Sequence, residues 1–281
     1  MRRMLVVVAM VAVGGASIGR ADRAPTAEAR QELRVGVPLG LSDPVSAAVA
    51  EFHRSHPAVE VKLSPDTPEG MVRKVVKGDL SLDVFISPGG HEAVILREKG
   101  LLEATTLTAF GDYRLAILVP AANPGEVKAP SDLVKPAVKT VTLSDRELSS
   151  VSHAAEQALG RMKLWKKVAT KVTFTRDCAE SFMTAMEGKT EANLQFLGCP
   201  MDPKKELEAA KKVAFVYTFA RDACDTPRNV AGVLVKSRQP RLAREFVTFL
   251  AAAKTQELMV KRGMRHDAGV PLRPGAWGGG S

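Results

Sequence analysis

The chain has 281 residues, of which 45% are hydrophobic, 25% charged and 5% aromatic. This balance is typical of a globular protein with one large domain or two smaller ones. The net charge of +9 is spread along the chain, and the few aromatic residues argue against the stacking surfaces that bind single-stranded nucleic acid.

The first 21 residues have the pattern of a secretory signal. Arg2 and Arg3 precede an apolar run at 5–13, and small residues follow up to Ala21. The run is shorter than the roughly 20 residues that a membrane-spanning helix needs. No cysteine follows it directly, so a lipid anchor is not expected. Cleavage after Ala21 would leave a periplasmic or extracellular protein with a net charge of +6.

Strands and helices alternate through the first half of the remaining chain. Residues 33–37, 59–63 and 83–87 are apolar or alternating, which predicts strands. Helical patterns begin after each strand, and Asp43 and Pro44 suit the start of the first helix. This order predicts an α/β fold in which each sheet is mostly parallel and flanked by helices.

The second half continues the alternation without an internal repeat. A strong strand from Tyr113 ends at Pro120. Further strands are predicted from 141, 172, 192, 213 and 229, and helices at 146–161, 178–188, 241–253 and 255–263. The glycine-rich tail, 267–281, is predicted to lie outside the fold.

The ordered segments DVFIS, EKGLL, YRLAILVPAANPG, PSDLVKPAVKTVTLSD, GVLVKS and TQELMVKRGM resemble the molybdate-binding branch of periplasmic receptors. The resemblance runs from 33 to 264 and implies a type II periplasmic-binding-protein fold. Two lobes would be joined by two hinge strands. Lobe 1 would comprise 33–112 and 237–266, and lobe 2 would comprise 113–236 including the hinge strands.

The resemblance also implies a function. Such a receptor binds a small ligand between its lobes and delivers it to a membrane ABC permease. The family's oxyanion, molybdate or tungstate, is held by neutral donors that include helix N-termini. A single chain without cofactor, resident metal or nucleic acid is therefore expected.

Carried over position by position, the family's site departs from its pattern at two side chains. Gly40 stands where the family has a serine, and Phe196 stands where it has a tyrosine, so two hydroxyl donors are lost. Ser42, Ser150, Ser152 or His153 could compensate, or the ligand is a different one. The implied ligand-binding residues are Gly40, Ser42, Thr67 (with Ser64 as the alternative), Val151, Ser152, Cys178, Ala179 and Phe196.

The three cysteines leave several interpretations open. An odd number in an oxidising compartment predicts one disulfide, and the sequence alone does not choose among the three possible pairings of Cys178, Cys199 and Cys224. On the positions that the resemblance implies, a disulfide of Cys178 with Cys199 in lobe 2 is favoured over isolated buried thiols. A soft metal or thiophilic ligand held by Cys178 and His153 is an alternative. His91, near the implied cleft mouth, is expected to be solvated or to cap a helix.

Catalysis is not expected. The chain contains no GxSxG, P-loop or HExxH motif, and Asp145 and Glu147 fit a helix start. The sequence therefore predicts a binding protein, and a binding module that has lost transport remains an alternative.

Overall fold

A computed structural model describes residues 31–197, 211–225 and 228–264. The predicted signal at 1–21, the tail at 267–281 and Cys199 lie outside the described residues. Within the described ranges, no helix has both the length and the apolar character that crossing a membrane requires.

Lobe 1 contains a five-stranded sheet in the order β2-β1-β3-β10-β4. Strands β1, β2 and β3 are parallel to each other, and β10 is antiparallel to both of its neighbours. The elements of lobe 1 are β1 (Gln31–Pro38), α1 (Ser42–Ser55), β2 (Val59–Asp66), α2 (Pro68–Lys77), β3 (Val84–Pro88), α3 (His91–Glu98), β4 (Thr108–Phe110), β10 (Asn229–Val233), α7 (Pro240–Ala251) and α8 (Ala253–Val260).

Lobe 2 contains a second five-stranded sheet in the order β7-β6-β8-β5-β9. Strands β6, β7 and β8 are parallel, and β5 is antiparallel to β8 and β9. The elements of lobe 2 are β5 (Leu115–Pro120), β6 (Val141–Leu143), α4 (Ser150–Arg161), α5 (Trp165–Val168), β7 (Val172–Phe174), α6 (Cys178–Met186), β8 (Ala192–Phe196) and β9 (Val213–Thr218).

Strand β3 shows how the sheet of lobe 1 is buried on both faces. Val84 and Ile86 belong to the apolar cluster that includes Phe52 of α1 and Phe246 of α7. Phe85 belongs to a second cluster, formed with residues of α2 and α3. Alternate side chains of a strand point to opposite faces, so helices cover the sheet on both sides. The predicted α/β fold with two lobes is confirmed.

Two predicted segments can be compared with the structure. The strand β10 is the predicted hinge strand that returns to lobe 1, counted with lobe 2 in 113–236, and it hydrogen-bonds between β3 and β4 in the sheet of lobe 1. The helix predicted from Arg146 begins only at Ser150. The Asp145 side chain accepts hydrogen bonds from the backbone N–H groups of Glu147 and Leu148, which forms a turn before the helix.

An ion pair ties together the two segments that connect the lobes. Asp112 lies between β4 and β5, whereas Arg221 and Arg228 lie between β9 and β10. The Asp112 carboxylate is 2.7 Å from the guanidinium of Arg221 and 3.8 Å from that of Arg228. The crossings from lobe 1 to lobe 2 and back therefore run side by side.

Candidate functional site

The carboxyl ends of the parallel strands in the two lobes face each other. In lobe 1, β1, β2 and β3 end at one edge, and in lobe 2, β6, β7 and β8 do the same. The lobes meet closely at Gly89, where a Cβ atom would lie 2.8 Å from Cβ of Ser150 and 3.1 Å from the Phe196 ring. Ligands of open α/β sheets bind at such strand ends, so this is the candidate site.

The residues predicted from lobe 1 all follow the ends of β1 and β2. Gly40 lies in a short 3-10 turn, and Ser42 is the first residue of α1. The Ser42 hydroxyl oxygen is buried and has no hydrogen-bond partner among the described residues. Thr67 caps α2, and its hydroxyl oxygen accepts a hydrogen bond of 3.2 Å from the Gly70 N–H.

The residues predicted from lobe 2 lie at the first turns of α4 and α6 and at the end of β8. The Ser152 hydroxyl donates to the Ser144 carbonyl at 2.9 Å, and the Val151 N–H donates to the capping hydroxyl of Ser149. The buried Cys178 and the half-buried Ala179 begin α6. Phe196 is fully buried and stacks on Tyr113, with 5.2 Å between the ring centroids.

The carboxylate of Glu92 crosses from lobe 1 to the N-terminus of α4 in lobe 2. One oxygen accepts the Ser150 N–H at 2.7 Å. The other oxygen accepts the Ser150 hydroxyl and, at 2.6 Å, the hydroxyl of Ser87. Glu92 is fully buried, and this burial raises its pKa although the hydrogen bonds oppose the rise. A fully buried carboxyl group of lobe 1 is therefore hydrogen-bonded to the first residue of α4 in lobe 2.

A second carboxyl group, that of Glu69 in the first turn of α2, is directed toward the N-terminus of α6. It is 1% exposed, and its Oε2 atom has no hydrogen-bond partner among the described residues. Burial, and then the charge of Glu92, raise the pKa of Glu69 to about 7. The Ser149 hydroxyl and the Cys178 backbone N–H act in the opposite direction.

Neither glutamate was predicted as a site residue. An acidic residue in the first turn of a helix ordinarily interacts with the dipole of its own helix. The local sequence pattern therefore does not indicate a contact with the other lobe. The only indication in the sequence is the position of the two residues along the chain. Glu69 and Glu92 both follow strand ends of lobe 1, where the family resemblance places an anion.

At the rim, Arg73 and His91 of lobe 1 contact lobe 2. The Arg73 guanidinium lies 2.6 Å from the Asp145 carboxylate and donates to the Arg176 carbonyl at the same distance. The His91 ring stacks on His153 with 4.5 Å between centroids, and its Nε2 lies 2.9 Å from the Glu147 carbonyl oxygen. Burial, and then the neighbouring His91, lower the pKa of His153.

The arrangement around the cysteines bears on the soft-metal alternative. His153 is paired with His91, whereas the backbone of Cys178 faces Glu69. Across the described ranges, no group of three or more His, Cys, Asp or Glu side chains is placed to hold a metal ion. Cys178 and Cys224 are both buried, and the predicted disulfide partner Cys199 lies outside the described residues.

Comparison with known proteins gives one family match and several relatives. The model of the bacterial extracellular solute-binding protein family matches residues 33–265. The molybdate-binding protein ModA of Mycobacterium tuberculosis is 25% identical over 260 residues, which are 92% of this chain and 94% of that protein. The predicted resemblance to molybdate-binding receptors is thereby confirmed.

Solved structures share the fold at low identity. The sulfate-binding protein SubI of Mycobacterium tuberculosis has a TM-score of 0.63 at 18% identity, with 88% of this chain and 89% of that chain covered. Iron-bound HitA of Pseudomonas aeruginosa has a TM-score of 0.58 at 14% identity, with 86% and 90% covered. One of these proteins binds sulfate and the other is iron-bound, so the shared fold does not identify a ligand.

Proposed function

Because the chain belongs to the bacterial extracellular solute-binding protein family, we propose that it is the exported receptor of an ABC-type importer. It binds a small solute between its lobes and delivers it to a membrane permease. The observation that carries the proposal is the position of α4 and α6. The first residue of each helix, Ser150 in α4 and Cys178 in α6, directs its backbone N–H at a carboxyl group of lobe 1.

The proposed solute is a small oxyanion of the molybdate or tungstate type. The N-terminus of an α-helix carries about half a positive charge and unpaired N–H groups, and it binds oxyanions without a cationic side chain. Ser150 supplies a backbone N–H and a hydroxyl at α4, and Cys178 supplies a backbone N–H at α6. The 25% identical ModA supports this solute class.

The proposed contacts use backbone groups more than side chains. Phe196 has no donor and acts as an apolar wall. The buried Ser42 hydroxyl is the best side-chain candidate, because it has no other hydrogen-bond partner among the described residues. The proposed binding residues are Gly40, Ser42, Thr67, Val151, Ser152, Cys178, Ala179 and Phe196.

The test is calorimetric titration of the mature protein with molybdate, tungstate, sulfate and phosphate. We expect saturable binding of at least one of them with one site per chain. Ser42→Ala should weaken this binding roughly 10- to 100-fold, because a hydrogen bond to a charged group is worth about 1.5–3 kcal/mol.

Ser46→Ala is the matched control, because Ser46 is an exposed serine on the same helix. It should bind as the wild type does. If folded protein binds none of the four anions at millimolar concentration, the oxyanion class is wrong. If binding is unaffected by Ser42→Ala, that contact is wrong.

A further inference from the structure

We infer that Glu92 lowers the affinity of the proposed site for its solute anion, because its own carboxylate occupies the anion-binding donors at the N-terminus of α4. The inference rests on the proposed function, since it concerns the same cleft. A solute anion can use these donors only when Glu92 leaves them, so the side chain acts as a tethered competitor.

The contacts of Glu92 are those of a bound oxyanion. The carboxylate accepts one backbone N–H and two hydroxyl groups, and at least two of these hydrogen bonds measure 2.6–2.7 Å. The Ser150 hydroxyl is itself oriented, because its oxygen accepts the His91 N–H at 2.9 Å. Charge-assisted hydrogen bonds of this length are among the stronger ones in proteins.

The origin of the carboxylate makes the competition intramolecular. Glu92 belongs to α3 of lobe 1, whereas two of its three donors belong to Ser150 of lobe 2. The same contact therefore fills the anion position and holds the two strand edges together. A tethered group competes at a high effective concentration, whatever the concentration of the free solute.

The neighbouring Glu69 adds to the competition against a solute anion. Two buried carboxyl groups of lobe 1 face the N-termini of α4 and α6, and each raises the cost of placing a further negative charge between them. At the rim of this region, the guanidinium of Arg73 is engaged by Asp145. An added dianion thus meets two buried carboxyl groups, and it is repelled by whichever of them is ionised.

The expected change in solute affinity depends on the fraction of time for which Glu92 fills the donors. If Glu92 fills the donors nine-tenths of the time or more, the apparent affinity for the solute falls to about one-tenth or less of the intrinsic value. Removing the carboxylate should therefore increase the affinity for molybdate at least about tenfold.

The test removes the Glu92 carboxylate by substitution and then adds a small molecule that corresponds to the removed group. Glu92→Ala removes a CH₂–COO⁻ group, which corresponds to acetate. We expect acetate at millimolar concentrations to raise the unfolding temperature of Glu92→Ala in a saturable way, whereas acetamide, its neutral analogue, has no such effect. The wild type and Glu98→Ala should not respond, since Glu98 is an exposed residue of the same helix. Molybdate should bind Glu92→Ala at least about tenfold more tightly than it binds the wild type.

The outcomes separate the inference from the proposed function. If molybdate binds both proteins equally and acetate has no effect on Glu92→Ala, the inference is overturned while the proposed function stands. If acetate stabilises Glu92→Ala but no oxyanion binds either protein, Glu92 fills an anion position as inferred, but the proposed solute is wrong and with it the competition against that solute. Should Glu92→Ala fail to fold, Glu92→Gln decides. Unchanged molybdate affinity in that variant would overturn the inference.

Discussion

Replacing Glu69 by glutamine tests whether a buried carboxyl group of the cleft is destabilising when it is ionised. Glutamine keeps the shape of the side chain and is neutral at every pH. We therefore expect Glu69→Gln to be more stable than the wild type at pH 8, and to lose this advantage as the pH falls to 4.5.

The magnitude follows from the pKa of Glu69, which burial and the charge of Glu92 raise from 4.5 to about 7. A group whose pKa is raised by folding stabilises the native state fully below its unfolded pKa. That stabilisation is lost as the pH rises through the folded pKa. A difference of about 2.5 between the two pKa values corresponds to about 3 kcal/mol, because each unit is worth 1.36 kcal/mol. Glu69 is 1% exposed, so solvent screening does not reduce this value much.

The assay is urea unfolding of the wild type and Glu69→Gln at pH 4.5, 6, 7 and 8. The stability difference between the two proteins should grow by about 3 kcal/mol from the lowest pH to the highest. A constant offset from altered hydrogen bonding does not affect this change with pH. Glu98→Gln is the control, because its carboxyl group is exposed and its stability difference should stay flat.

A stability difference that does not change between pH 4.5 and 8 would refute the reasoning. It would mean that the Glu69 carboxyl group titrates as it does in the unfolded chain. A difference that changes in the opposite direction would mean that the ionised form is stabilised by its neighbours at α6.

Three further perturbations address the contacts between the lobes. Gly89→Ala should destabilise the protein by about 1–3 kcal/mol more than Gly78→Ala in thermal unfolding. Both glycines have φ near +80°, but only at Gly89 would the added Cβ meet the opposite lobe; equal losses would contradict the close approach. Arg73→Ala should cost about 0.5–1 kcal/mol in denaturant unfolding, and less at 1 M salt. A loss that is insensitive to salt would argue against the ion pair. Asp112→Asn should cost about 3 kcal/mol, because it removes the buried negative charge that faces the guanidinium groups of Arg221 and Arg228, and a loss below 1 kcal/mol would show that this pair does not hold the crossings together.

The fold could be predicted because its signals are local. Alternating strands, a capping Thr67 with Pro68 behind it, and a left-handed Gly78 define elements without reference to distant residues. The strand β4 and the helix α5 were missed, because three or four residues are too few to show a period. The strand β10 pairs with strands more than a hundred residues earlier, so its place between β3 and β4 could not be predicted from its own sequence.

The positions of the proposed binding residues at the strand ends could be predicted from the sequence, whereas the side-chain contacts between the lobes could not. The predicted residues follow the ends of parallel strands, so the fold carries them to the facing edges. The roles of Glu69 and Glu92 depend on how the two lobes meet. Nothing within α2 or α3 indicates that Ser150 of the other lobe will donate to Glu92.

The position of β10 between β3 and β4 has a consequence for the order in which the protein can fold after export. Lobe 2 is a continuous stretch of chain, and its sheet needs no residue beyond β9 at Val213–Thr218. Lobe 1 lacks the strand that joins β3 to β4 until Asn229–Val233 has been added to its sheet. If the proposed export delivers the chain N-terminus first, one edge of β3 stays unpaired until lobe 2 has followed, and an unpaired strand edge is a site of aggregation.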